Sequence, residues 1–120
     1  MIILQKSPTI IQLSEFDITQ KIIESLSNVC TRSVLFSVKN ESKDATQIAD
    51  ELKISLSTVY KTLSTLEDLA LAEVDKYVIS NEGKKIKLYR SRIGKVEITL
   101  DDLEPSLNLY SNTINPKSNS

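Results

Sequence analysis

Residues 46–71, TQIADELKISLSTVYKTLSTLEDLAL, constrain the fold of this chain more than any other segment. Apolar residues recur there at helical spacing in two sets, and residues 53–55 break the period between them. Two short helices joined by a tight turn make a helix-turn-helix. The two apolar sets are Ile48, Ala49 and Leu52, followed by Val59, Leu63, Leu66 and Ala70.

Short hydroxyl side chains favour helix starts because they accept hydrogen bonds from the free N–H groups of the first turn. On this ground we expect Thr46 to cap the first helix of the pair and Ser55 to cap the second. Upstream, Thr31 is expected to cap a third helix that runs to about Asn40. Ala49 is small enough to lie where the paired helices cross. The sequence therefore predicts a three-helix core.

The face of the second helix that lies away from its apolar residues carries short hydroxyls, one phenol and one cation. Hydroxyls bond to base edges and phosphates, lysine donates to guanine or phosphate, and threonine methyls contact thymine. A solvated face is the alternative, but Ser and Thr are uncommon on exposed helices because they compete for backbone hydrogen bonds. We therefore expect DNA contacts from Ser57, Thr58, Tyr60, Lys61, Thr62 and Thr65.

A basic hairpin is predicted directly after this helix. Residues 73–80 and 85–91 are rich in β-branched and aromatic residues, and Asn81-Glu82-Gly83-Lys84 between them is typical of a turn. A solvent-facing hairpin whose lysines discourage edge aggregation is the alternative. Because it follows a helix of recognition type, we interpret the hairpin as a wing, with Lys84, Lys85 and Lys87 as DNA contacts.

The net charge of −1 does not oppose this interpretation, because the charge is unevenly distributed. Residues 76–95 hold seven cations against the single anion Glu82, whereas residues 1–31, 32–75 and 96–120 are each acidic. At a Debye length of about 8 Å, DNA responds to the local basic segment more than to the distant net charge.

Three segments together resemble the winged helix-turn-helix of ArsR-like and related prokaryotic transcription regulators. The resemblance implies an α+β, mainly α fold, in which a three-helix core and a β-hairpin wing carry N- and C-terminal extensions. It also implies a homodimeric regulator whose second motif helix enters the major groove of double-stranded DNA, with Ser57, Thr58, Lys61 and Thr62 on that helix and Lys84 and Lys85 on the wing. The segments are LSNVCTRSVLF at 26–36, TQIADELKISLSTVYKTLSTLE at 46–67 and GKKIKLY at 83–89.

Two positions depart from this family pattern. Lys53 and Ala70 stand where such sequences often have glycine. A side chain in the left-handed region costs roughly 1 kcal/mol, so either the turns differ or the core tolerates the strain. The metal-binding thiols of ArsR metal sensors are also missing, because the first motif helix has no cysteine and the chain has no histidine.

We divide the chain into four parts. Residues 1–27 form an N-terminal extension with a helix, and 28–95 form the winged helix-turn-helix domain. Residues 96–110 are expected to form a strand and then a helix, because Leu100, Leu103, Leu107 and Tyr110 recur at helical steps. These terminal elements are candidates for a dimer contact. The Asn- and Ser-rich residues 111–120 are expected to be disordered.

Several other functions are disfavoured by composition. The two glycines provide no phosphate-cradling loop, and a chain without histidine has no imidazole for catalysis, so we expect neither an enzyme nor a metal or cofactor site. The sequence has no apolar run long enough for a membrane span and no signal peptide, which favours the cytoplasm. Cys30 is either a redox switch or, as we favour, a packing residue. The alternative function is a winged-helix module that binds proteins of the transcription machinery.

Overall fold

A computed structural model describes residues 2–4, 10–13 and 16–114 of the protein. Over these residues the chain is an α+β structure of four helices and two antiparallel sheets. None of these helices has the length and apolar character needed to cross a membrane. The helices are α1 (Phe16–Ser27), α2 (Val29–Ser37), α3 (Ala45–Leu52) and α4 (Leu56–Asp68); the strands are β1 (Ile2–Leu4), β2 (Ile10–Leu13), β3 (Ala72–Ile79), β4 (Lys85–Ser91), β5 (Ile93–Thr99) and β6 (Ser106–Ser111).

The predicted pair of short helices is confirmed as α3 and α4, and one of its two expected caps is correct. Ser55 caps α4, since its hydroxyl accepts from the Thr58 N–H at 3.2 Å. Asp44 rather than Thr46 caps α3: its carboxylate accepts from Gln47 N at 2.8 Å, and the Gln47 side chain accepts from Asp44 N at 2.9 Å. Thr46 cannot form this reciprocal pair, because the residue three positions later is alanine.

The predicted helix upstream of the pair exists, but its boundaries differ from those expected. Asn28 caps α2 by accepting from Thr31 N at 3.1 Å, so Thr31 lies inside the helix, which ends at Ser37. The Arg32 side chain donates to the carbonyls of Leu26 and Ser27 at 2.7 and 3.0 Å, which satisfies the end of α1. The capping bond and this clasp together fix the sharp turn between α1 and α2.

Helices α2, α3 and α4 enclose an apolar core. The predicted core residues of α3 and α4 are almost inaccessible to solvent except for Leu52, which is half-buried, and Ala70, which is exposed in the turn after α4; Ala49 is 9% exposed. Burying each such aliphatic side chain contributes about 1.5–3 kcal/mol, which is why these short helices hold together despite weak intrinsic stability. The most completely buried members are Val34, Leu35, Ile48, Val59, Leu63 and Leu66.

Both non-glycine residues at the expected glycine positions are left-handed. Lys53 and Ala70 each have φ of 59°. The turns therefore keep the geometry that glycine would favour, and the surrounding structure holds the strain. Hydrogen bonds from Ile54 N to Ala49 O at 3.2 Å and from Leu71 N to Leu66 O at 2.9 Å close the two helix ends.

Strands β3 and β4 form the predicted hairpin as a two-stranded sheet of their own. Gly83 in the connecting turn has φ of 81°, as its position requires. The base of the hairpin is tied to the loop before α3 by two bonds, from Tyr89 N to Lys43 O at 2.8 Å and from Lys43 N to Tyr89 O at 3.2 Å. This bridge fixes the hairpin relative to α3 and α4.

The expected C-terminal helix is wrong. A strand is found at β5, but residues 100–105 form a connecting loop and β6 follows in place of a helix. Leu100 and Leu103 are 75% and 94% exposed, whereas Leu107 and Leu109 are buried. The alternation of Leu107 and Leu109 prevails because β6 pairs with β5 on one side and β2 on the other. The sheet order is β1-β2-β6-β5.

The tail prediction is wrong at its beginning. Ser111 ends β6, and the Asn112 side chain is buried. Its Nδ2 donates to Lys39 O at 2.8 Å and to Ser91 O at 2.9 Å, and its Oδ1 accepts from Ile114 N at 3.0 Å. The chain is therefore fixed through residue 114, and the rest of the expected tail lies outside the described residues.

Candidate nucleic-acid interface

The N-terminal turn of α4 presents a cluster of exposed hydroxyls. The Ser55 hydroxyl lies 2.8 Å from Thr58 Oγ1 and 3.2 Å from Ser57 Oγ, and all three residues are exposed. The helix N-terminus adds positive potential from its free N–H groups. Sequence reasoning treated Ser55 as a cap alone, whereas the structure places it within the same polar cluster as two of the predicted contacts.

The middle of α4 exposes most of the other predicted contacts. Lys61 and Thr65 are exposed, Thr62 is half-buried, and Tyr60 is 53% exposed. The Thr65 hydroxyl donates to Lys61 O at 3.3 Å. The Thr65 Oγ1 atom therefore keeps its lone pairs to accept a hydrogen bond from a partner. The exposed face is therefore polar over about two turns.

One face of the hairpin combines lysines with exposed apolar side chains. Tyr77 stands opposite Lys87, and Ile79 stands opposite Lys85. The Lys85 ammonium lies 4.3 Å from the Tyr77 ring centroid, a cation–π contact that directs this side chain along the hairpin. Lys84 follows the turn and is exposed. Tyr77 and Ile79, at 49% and 67% exposure, extend the surface beyond the residues predicted from sequence.

A groove of about 540 Å³ lies between the hairpin lysines and one residue of the predicted α4 surface. Tyr60 lines it from α4, and Thr46 lines it from the first turn of α3. The hairpin wall of the groove is formed by Lys84, Lys85 and Lys87 together with Ile86 and Tyr89. Tyr60, which the sequence predicted as a DNA contact of the α4 face, thus lies next to the lysines. Nothing local in the sequence indicates this proximity, because it depends on the bridge at the hairpin base.

At the hairpin base, alternation gives way to burial on both faces. Lys85 and Lys87 are exposed as expected, but Leu88 and Tyr89 are 5% and 4% exposed. Burial raises the pKa of the Tyr89 phenol above 10.0, and the nearby Glu67 carboxylate raises it further. Tyr89 is thus a neutral, buried packing residue at the hairpin end of the groove.

The basic segment at 76–95 divides into two groups of cations. Three of its cations pair with acids: Arg90 with Glu73 at 3.5 Å, Arg92 with the same carboxylate at 3.9 Å, and Lys95 with Glu97 at 3.5 Å. Within the described residues no ion pair involves the other members, Lys76, Lys84, Lys85 and Lys87, or Lys61 on α4. The seven cations and single anion of residues 76–95 give a net charge of +6, which therefore overstates the positive surface available to a partner.

No group of three potential His, Cys, Asp or Glu ligands is found in the described ranges. Cys30 is half-buried in the first turn of α2. No protein-family model matches this chain, and no curated protein matches it either.

Proposed function

We propose that this chain is a winged helix-turn-helix protein that binds double-stranded DNA sequence-specifically and regulates transcription as a homodimer. In this proposal α4 enters the major groove, and the β3–β4 hairpin acts as the wing on the backbone or in the adjacent groove. The observation that carries it is the groove in which Lys84, Lys85 and Lys87 of the hairpin, which have no ion pair within the described residues, lie beside Tyr60 of α4.

The distribution of polar groups along α4 supports an approach by its N-terminal half. Residues 55–65 contain no acid, and Glu67 and Asp68 are exposed at the opposite end. Thr58 and Asp68 are ten residues apart, or about 15 Å along the axis. Recognition helices commonly contact base edges through their N-terminal residues, so the acids would lie away from the phosphates.

Each part of the surface has a distinct chemical role in this proposal. Ser57, Thr58, Lys61 and Thr62 would read base edges, because hydroxyls and lysine bond directly to them. Lys84, Lys85 and Lys87 would neutralise phosphates, which supplies affinity but little specificity. Tyr60 and Thr65 border the base-reading residues.

The alternative is a protein-binding module, and the acidic C-terminal end of α4 is the observation that favours it. Glu67 and Asp68 are exposed there and are not among the residues that line the groove. A protein partner with basic side chains would engage these acids and leave the hydroxyl cluster unused. The two proposals therefore differ in which half of α4 is essential.

The deciding experiment is in vitro selection of genomic DNA fragments by the purified protein, followed by sequencing. We expect enrichment of a palindromic motif, since two-fold protein symmetry is matched by symmetric sites. The selected site then serves in fluorescence anisotropy titrations of the variants Thr58→Ala and Lys61→Ala. We expect each to lose affinity by about 1–3 kcal/mol for the selected site, with less loss on unrelated DNA.

Lys21→Ala is the matched control, because Lys21 is an exposed lysine on α1, outside the proposed interface. It should bind the selected site as the wild type does. The double variant Glu67→Gln, Asp68→Asn tests the alternative. Failure to enrich any motif would overturn the DNA proposal. If the Glu67→Gln, Asp68→Asn variant alone changed the binding of a protein partner, the protein-binding role would stand instead.

A further inference from the structure

Strand β5 is the last strand of the four-stranded sheet, and only β6 pairs with it among the described residues. An exposed edge strand offers unpaired N–H and C=O groups to another chain, so proteins either block such an edge or use it. Its side chains alternate between two faces: Lys95 and Glu97 lie on one, and Val96 and Ile98 lie on the other.

The two charged side chains are held in place along this edge. Lys95 Nζ lies 3.5 Å from Glu97 Oε2 and 4.9 Å from the centroid of the Tyr110 ring. The Tyr110 hydroxyl donates a hydrogen bond to Glu97. Both side chains remain accessible, with 62% of the Lys95 side chain and 43% of the Glu97 side chain exposed. The edge thus carries one positive and one negative group in fixed order on one face.

This order is self-complementary in an antiparallel pair of identical strands. When the two-fold axis passes through Val96, each Lys95 stands opposite Glu97 of the other copy, which makes two attractive pairs. An axis through Lys95 or Glu97 instead places like charges opposite each other. An axis that passes midway between two residues shifts the register by one residue. The charged face of one strand then lies beside the apolar face of the other. Only the Val96 register places Lys95 opposite Glu97 and also keeps the charged faces of both strands on the same side of the sheet.

The apolar face of the edge also has surface to bury. Ile98 is 45% exposed, and Val96 and Ile98 line a cavity of about 260 Å³ with Leu26 and Phe36. In the Val96 register each Ile98 stands opposite the segment around Gly94 of the other copy, where the pairing of β5 with β6 shifts by one residue between Ile93 and Lys95. Gly94 has no side chain to obstruct it, so the isoleucines gain cover without a clash between side chains.

We infer that the chain forms a two-fold symmetric homodimer by antiparallel pairing of β5 with β5 of a second copy, centred on Val96. The two four-stranded sheets become one continuous sheet across the symmetry axis. The contact is isologous, since each copy contributes the same residues. The inference supplies an interface for the homodimer in the proposed function, but it rests on the sheet alone and its test uses no DNA.

Size-exclusion chromatography with light scattering on the full chain tests the interface. The wild type is expected at twice the chain mass of 13.5 kDa. Glu97→Lys and Lys95→Glu each place like charges opposite each other, so each should raise the dimer dissociation constant roughly tenfold or more. The double variant Lys95→Glu, Glu97→Lys restores opposite charges and should restore the dimer. A monomeric wild type, a single variant of unchanged affinity or a monomeric double variant overturns the inference.

Mixing the two single variants provides a second test that does not depend on either variant alone. One edge then carries two lysines and the other two glutamates, so the mixture should form a heterodimer that neither variant forms with itself. Lys21→Glu is the matched control, because it reverses the charge of an exposed lysine on α1 and leaves β5 unchanged. It should remain dimeric, and its dissociation would overturn the charge-pairing account.

Discussion

Lys87 and Arg90 stand three residues apart on β4, and their side chains lie in opposite surroundings. Lys87 is exposed in the groove wall and has no ion pair within the described residues. Arg90 is only 15% exposed at its side chain, donates to the carbonyls of Asn112 and Ile114 at 3.0 and 2.9 Å, and pairs with Glu73. Two cations that a charge count treats alike therefore have different uses.

The same contrast separates two regions of the molecule. In the region of α4 and the β3–β4 hairpin, lysines are exposed and unpaired over the part of the chain that is described. In the region where the hairpin meets β5, β6 and residues 112–114, cations and amides are bonded to carboxylates and carbonyls. A largely buried charge is costly unless it is paired, so the bonds of Arg90, whose side chain is 15% exposed, help to maintain the fold. Charges of the first region remain available to a partner.

Asn112→Ala should produce the largest change, and it should affect stability alone. The variant leaves the carbonyls of Lys39 and Ser91 without the donor that Asn112 supplies. Each buried group that loses its partner costs about 1–3 kcal/mol. Urea unfolding measures the loss, and Thr113→Ala, at an exposed neighbouring position, should leave the transition unchanged. Equal transitions for the two variants would mean that the second region does not hold the fold.

The triple variant Lys84→Ala, Lys85→Ala, Lys87→Ala should give the reverse result. Its urea transition should match that of the wild type apart from the loss of the Lys85 contact with Tyr77. Binding to the selected DNA should weaken, and the slope of log affinity against log salt should become shallower by about 0.9 for each phosphate contact removed. Anisotropy titrations across a salt series provide both quantities. An unchanged slope would show that these lysines do not contact phosphates.

Local sequence patterns were sufficient to predict the elements that depend on neighbouring residues. The α3–α4 pair and the hairpin follow from helical spacing and turn chemistry, whereas the sequence left open whether Lys53 and Ala70 would be left-handed. Residues 100–110 were assigned wrongly because Leu107, which continues the helical steps from Leu100 and Leu103, also alternates with Leu109 as in a strand. Pairing with β2, nearly a hundred residues earlier, decides for the strand.

The candidate surface was predictable as a set of residues but not as a shape. The sequence identified the α4 face and the hairpin lysines, and it counted the cations of the basic segment. It could not separate Arg90 from Lys87, since the carbonyls that hold Arg90 belong to residues 22 and 24 positions later. It also could not bring Tyr60 beside the lysines, because that proximity requires the bridge between Lys43 and Tyr89.

Ala70→Gly should stabilise the turn that joins α4 to the hairpin by about 0.5 kcal/mol, because relief of left-handed strain exceeds the entropic cost of glycine. Thermal unfolding measures the gain. Gly83→Ala is the reverse control: its φ is 81° and no atom lies within 4 Å of an added Cβ, so only backbone strain changes. That variant should lose about 1 kcal/mol. A destabilised Ala70→Gly would show that the surroundings, and not strain, set the free energy of this turn.

The smallest expected effect concerns the pH dependence of the paired region. The hydrogen bond from Tyr110 holds the pKa of the Glu97 carboxyl below 4.5, and the same bond raises the pKa of the Tyr110 phenol above 10.0. Because the pKa of the Glu97 carboxyl is lowered on folding, this group stabilises the protein at pH values above its ordinary pKa. The contribution is lost as the pH falls through the folded-state pKa. Because the pKa of the Tyr110 phenol is raised on folding, this group stabilises the protein at pH values below its ordinary pKa. The contribution is lost as the pH rises through the folded-state pKa.

Tyr110→Phe isolates this contribution, since it removes the bond between the two groups. The stability difference between wild type and variant should be largest near neutral pH and should shrink at both extremes. Urea midpoints at about pH 3, 7 and 11 measure it. The triple variant of Lys84, Lys85 and Lys87 should show no such pH-dependent difference from the wild type, because these lysines have no carboxylate partner within the described residues. A constant difference for Tyr110→Phe would mean that the phenol acts through packing, and the contrast between paired and unpaired regions would not extend to titration.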